Sequence, residues 1–128
     1  MYFPVTTLYA SFLGILLIAL ANQVSNHRRR AMVSLGHGDD SKLERAMRVQ
    51  GNFIEYVPFA LVLLMLLELE LTQMWLLHVL GAMLVTGRLL HAYGMYYPDG
   101  VLAGRFWGTA LTWLMILATS LLNFWHLI

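Results

Sequence analysis

The chain has 128 residues, of which 59% are hydrophobic and only 12% charged, and its mean hydropathy is +0.67. A soluble domain carries roughly a quarter charged residues, so this composition excludes one and describes an integral membrane protein. A net charge of +1 offers little to a nucleic-acid backbone, and the lack of cysteine excludes disulfides, thiolate metal sites and a cysteine nucleophile.

Hydropathy predicts four helices, over about residues 5–26, 42–68, 72–95 and 104–127. Each approaches or exceeds the ~20 mostly apolar residues that a bilayer crossing takes. The connections are short, so neighbouring helices should run antiparallel in an all-α, up-down four-helix bundle, a single domain over 1–128. The first helix is uncharged from Val5 to Val24. Ala19-Leu20-Ala21 resembles a signal-peptide cleavage site, but no Lys or Arg precedes the apolar run, so an uncleaved helix is expected. Arg28, Arg29, Arg30, Lys42, Arg45 and Arg48 surround the first connection, and Arg88 and Arg105 flank the third. The second connection holds Glu68 and Glu70 instead. This asymmetry predicts both basic connections in the cytoplasm and both termini on the periplasmic side. The run His27-Arg28-Arg29-Arg30 reads as a topology anchor against anionic lipid headgroups.

The second helix carries an unusual polar stripe. At about 100° per residue, Arg48, Asn52, Glu55 and Tyr56 fall within an arc of about 100°. Glu44 and Arg45 join that face, while Phe53 and Val57 point away. Each ionisable group held near the bilayer interior costs roughly 2.5–3.5 kcal/mol, so several on one stripe imply a bound partner. Glu44 and Arg48 also have the i, i+4 spacing of an interfacial ion pair. A structural alternative has Asn52 joining helices and Glu55 pairing with Arg88 across the bundle. Pro58 leaves the Ile54 carbonyl without its helical donor and predicts a kink.

The third helix presents Arg88 with His91 on nearly the same face, followed by Tyr93, Tyr96 and Tyr97 at the interface. His78 and His126 read as ordinary membrane-helix histidines. Arg105 opens the fourth helix and shares a face with Gly108, Thr109 and Thr112. No metal-ligand spacing, glycine-rich phosphate loop or nucleophile triad is present. The residues describe a pocket of arginines with one carboxylate, one amide and one phenol. It suits a small ligand bearing carboxylates and an amine, beside a lipid phase that delivers an apolar second ligand.

The run from Glu44 to Pro58, ERAMRVQGNFIEYVP, resembles the second-helix signature E-R-x-x-R-x-Q-x-N-x-x-E-Y-x-P of the MAPEG family, membrane-associated proteins in eicosanoid and glutathione metabolism. Helix number, order and length extend the resemblance over the chain, and its brevity points to a small bacterial branch. The resemblance implies a bacterial inner-membrane homotrimer binding glutathione as co-substrate between protomers near the cytoplasmic side. Position by position, Arg48, Asn52, Glu55, Tyr56 and Arg88 match glutathione-binding residues, with His91 and Tyr93 in the third-helix part of the site. Arg105 matches the arginine that holds the thiol as thiolate. The implied activity is a glutathione transferase or peroxidase acting on lipophilic electrophiles or lipid hydroperoxides. The alternative is a non-catalytic lipid- or glutathione-binding protein of the same fold.

Overall fold

The computed structural model describes residues 2–70, 73–97 and 102–128. The described residues form four helices: α1 (Pro4–Ala31), α2 (Ser41–Glu70), α3 (Met74–Tyr96) and α4 (Leu102–Leu127). All four are long and apolar enough to cross a membrane. The third connection and Thr72, where the third helix was expected to begin, lie outside the described residues.

The up-down order follows from which ends meet. The backbone N–H groups of Val5 and Thr6 donate to the Glu68 carboxylate at 2.9 and 2.8 Å, bringing the start of α1 to the end of α2. Tyr9 of α1 donates to the carbonyl of His78 on α3 at 2.9 Å. Asn123 of α4 donates to the carbonyl of Leu63 on α2 at 3.0 Å. The opposite end gathers the close of α1, the first connection and the starts of α2 and α4.

Along α2 the core residues are Leu43, Ala46, Val49, Phe53, Val57, Ala60, Leu64 and Leu67. They recur every three or four positions, which is one helical face, so Pro58 is accommodated without interrupting the seam. Thr112 and Thr119 are buried on α4, but each hydroxyl bonds a carbonyl one turn earlier in its own helix. They add no unsatisfied group to the core. Phe12, Ile15, Ile18, Phe59, Val62, Leu117 and Leu121 are exposed instead, an apolar exterior that only lipid or another subunit suits.

Helices α3 and α4 approach most closely because both lack side chains at the crossing. A Cβ on Gly108 would meet His91 N at 2.5 Å and Gly87 O at 2.6 Å, and one on Gly94 would collide with the backbone of Gly104 and Arg105. This contact sets the level of Arg88 and His91 against Arg105.

Two elements differ from expectation. Helix α1 runs to Ala31, so Arg28, Arg29 and Arg30 occupy its last turn, where cations complement unpaired carbonyls. Glu68 and Glu70 lie inside α2, and Glu68 caps α1, which has no side-chain cap of its own. A carboxylate at a helix N-terminus takes orphan N–H groups and meets the positive end of the helix dipole. Glu68→Ala should therefore lower stability by about 1–2 kcal/mol, read as a lower thermal midpoint in detergent.

Candidate functional site

A cleft of about 940 Å³ opens at the arginine-rich end. Helix α2 supplies Glu44, Arg45, Arg48, Asn52 and Glu55, α3 supplies His91, and α4 supplies Arg105. The volume lies in the range of small-molecule sites. Gly51, without a side chain, leaves room between the polar residues of α2.

The α2 stripe exists because the apolar seam uses one face of the helix and the polar residues lie along its flank. Arg48 and Glu55 are exposed on the single chain, as is Arg105, while Asn52 and Tyr56 are half-buried. Helix α2 has 30 residues, a length of about 45 Å, so Glu55 lies near its middle.

Arg88 stands behind the cleft wall. It is 2% exposed and does not line the cavity. Its Nε donates to Thr112 Oγ1 at 3.1 Å, Nη1 to Asn52 Oδ1, and Nη2 to the Gly108 carbonyl at 3.4 Å. Its guanidinium also lies 5.7 Å from the centroid of the Tyr56 ring, a cation–π arrangement. The acceptors are an amide, a hydroxyl and a carbonyl, so in place of the structural alternative, a Glu55–Arg88 pair, Arg88 sits in a neutral cradle. A guanidinium only donates, so Asn52 must turn its oxygen towards Arg88. The Asn52 Nδ2 is left as a donor for the cleft. Arg88 thereby orients a cleft residue without entering the cleft.

The structure brings Arg48, Asn52, Glu55, His91 and Arg105 together around one cavity. Tyr56 packs on Arg88 instead, and Tyr93 is exposed and stacks against Tyr97 at 4.8 Å, outside the cleft of the single chain. Among the described residues, three arginines and two glutamates line the cleft, and Arg88 backs it. Among the described residues, the arginine hydrogen bonds are those of Arg28, Arg29 and Arg88; Arg48 and Arg105 have none. This is a cationic site suited to an anion that also carries a positive group for a glutamate.

A second groove, of about 800 Å³, runs along α4 between Arg105, Phe106, Thr109, Ala110 and Trp113. Arg105 borders both cavities. A polar cleft and an apolar groove thus meet at one guanidinium.

Sequence reasoning missed several cleft residues. Met47 and Met95 carry no polar signal, and Gly51 and Gly94 matter through the side chains they lack. His37 belongs to the first connection and enters the cleft wall only through the fold of that loop.

The chain matches the MAPEG family model over residues 6–125. It is 34% identical over 123 residues to a protein named inner membrane protein YecN from Escherichia coli strain K12, covering 96% of this chain and 92% of that one. The protein of the same name from Escherichia coli O6:H1 strain CFT073 matches to the same extent.

Proposed function

The chain belongs to the MAPEG family, and from that premise we propose that it is a glutathione-dependent transferase or peroxidase of the bacterial inner membrane. The observation that carries this reading is the meeting of the cationic cleft and the apolar groove at Arg105. In the cleft, the arginines take the carboxylates of glutathione and Glu55 takes its ammonium. Asn52 donates through Nδ2 to a peptide carbonyl or carboxylate. The thiol lies towards Arg105, and the groove along Phe106 and Trp113 receives the lipophilic substrate from the bilayer.

A cation in a low-dielectric site lowers the pKa of a thiol and raises the fraction of nucleophilic thiolate. The thiolate then attacks an electrophilic carbon, and the leaving group departs with its bonding electrons. With a lipid hydroperoxide, sulfur takes the distal oxygen, giving the alcohol and a sulfenic acid. A second glutathione converts the sulfenic acid to glutathione disulfide and water.

The same reading places the cleft at the cytoplasmic side and both termini in the periplasm, because the basic residues gather at that end. It also makes the working unit a homotrimer. Arg48, Glu55 and Arg105 are exposed on one chain, yet hydrocarbon does not solvate charge. A neighbouring subunit that covers this face, with ligand at the seam, resolves the conflict.

The test is ultraviolet difference spectroscopy on the purified protein. Addition of glutathione should produce a thiolate band, and a generic aryl halide should be conjugated. Binding without a thiolate band or turnover would make this a binding protein of the same fold. Neither binding nor conjugation would defeat the proposal.

A further inference from the structure

Asn52 is the amide of the cleft wall, and what fixes its orientation begins two helices away. Thr112 of α4 is completely buried. Its hydroxyl gives its proton to the Gly108 carbonyl at 2.9 Å and accepts the Arg88 Nε–H of α3 at 3.1 Å. A guanidinium is planar, so fixing its Nε direction constrains the directions of its other N–H groups. Nη2 then meets the Gly108 carbonyl at 3.4 Å, and Nη1 meets Asn52 Oδ1 on α2. One chain of hydrogen bonds thus crosses three helices and ends on a residue that lines the cleft.

The packing leaves that chain little freedom. A Cβ on Gly87 would meet Thr112 Oγ1 at 2.8 Å and the Gly108 carbonyl at 3.0 Å, so the hydroxyl is enclosed at the α3–α4 crossing. The Tyr56 ring lies against the guanidinium at 5.7 Å. Thr112 itself is not among the described residues that line either cavity.

An unrestrained asparagine presents either its oxygen or its nitrogen to a ligand, because the two ends of the amide have nearly the same shape. Resting on the thiol-peptide reading above, we propose that Thr112 is a positioning residue: acting through Arg88, it holds the Asn52 amide with Nδ2 free for the ligand, and so selects an acceptor there. Without the Thr112 oxygen, the Arg88 Nε–H is a buried donor lacking an acceptor, and the guanidinium turns to recover one. The Asn52 amide is then free to flip, and its flipped form sets an oxygen against a carbonyl or carboxylate oxygen of the peptide. The thiol end at Arg105 is untouched, so the effect falls on peptide affinity.

Calorimetric titration with glutathione and steady-state conjugation of an aryl halide test this on the purified protein. Thr112→Val puts a methyl group in the hydroxyl's place, so no water takes over its bond. It should bind glutathione about tenfold more weakly and raise the glutathione KM to match, with kcat and the KM for the halide unchanged. Thr112→Ser restores the oxygen and should recover the affinity. Asn52→Ala should lose at least as much, and adding Thr112→Val to it should cost nothing further. Should the valine variant not fold, Thr112→Cys, whose sulfur is a weak acceptor, serves the same comparison. A valine variant with wild-type affinity, whatever its thermal midpoint, overturns the inference while the thiol-peptide reading stands. An equal further loss on the Asn52→Ala background does the same. A wild type that binds no glutathione removes that reading, and the inference with it.

Discussion

Arg105→Ala is expected to abolish the thiolate band that glutathione develops on the wild-type protein and to slow conjugation about a hundredfold or more. Arg105 lies in the first turn of α4, where free backbone N–H groups add to the charge of its guanidinium. It is also the residue common to the cleft and the groove, so an anionic sulfur held there faces the apolar substrate. Removing the guanidinium returns the thiol to its neutral form at neutral pH. Glutathione itself should still bind, because Arg45, Arg48 and Glu55 remain, and the loss should therefore fall on turnover more than on affinity. Arg105→Lys keeps the charge but not the planar fork and should recover part of the rate. Unchanged turnover in Arg105→Ala would place thiol activation elsewhere.

Gly94→Val should be the most damaging single change to the fold, costing about 3 kcal/mol or more and removing ligand binding with it. Its branched side chain would collide with the backbone of Gly104 and Arg105, and no rotamer moves a Cβ out of the way. Helix α3 must then separate from α4, displacing His91 and the Arg88 cradle on Thr112 and Gly108. Gly14→Ala is the matched control. No atom lies within 4 Å of a Cβ placed there, and the change should be neutral or mildly stabilising in a helix. Thermal unfolding in detergent, paired with glutathione titration, distinguishes the two. A Gly94 variant as stable as the wild type would refute the tight α3–α4 crossing.

Both effects explain which parts of the molecule were legible from residues alone. The four helices and their up-down order follow from apolar runs too long for soluble core helices, and the structure has each of them. The α2 stripe was legible for a similar reason. Charged and amide groups are so disfavoured in a bilayer that their spacing on one face announces a site, and Arg48, Asn52 and Glu55 do line one cavity. Partnerships were less legible, because helical periodicity gives a direction and not a neighbour. Arg88 was expected at a carboxylate, yet it bonds Asn52, Thr112 and Gly108, acceptors on two other helices. Glu68 read as part of an acidic connection, and only the return of α1 to the end of α2 reveals it as a cap. His37 gave no periodic signal at all, since its direction is set by left-handed loop residues rather than by a helix.

The central claim is that the cationic groups of α2, α3 and α4 are compensated by an anionic thiol peptide at a seam between subunits. Native mass spectrometry of the protein released from detergent, with and without glutathione, tests it most directly. The expected result is a trimer that gains up to one glutathione per chain, and a Glu55→Gln, Arg48→Met double variant that stays trimeric but gains none. A chain that flies as a monomer, or a trimer that takes up no glutathione at concentrations well above those of the cell interior, would contradict it.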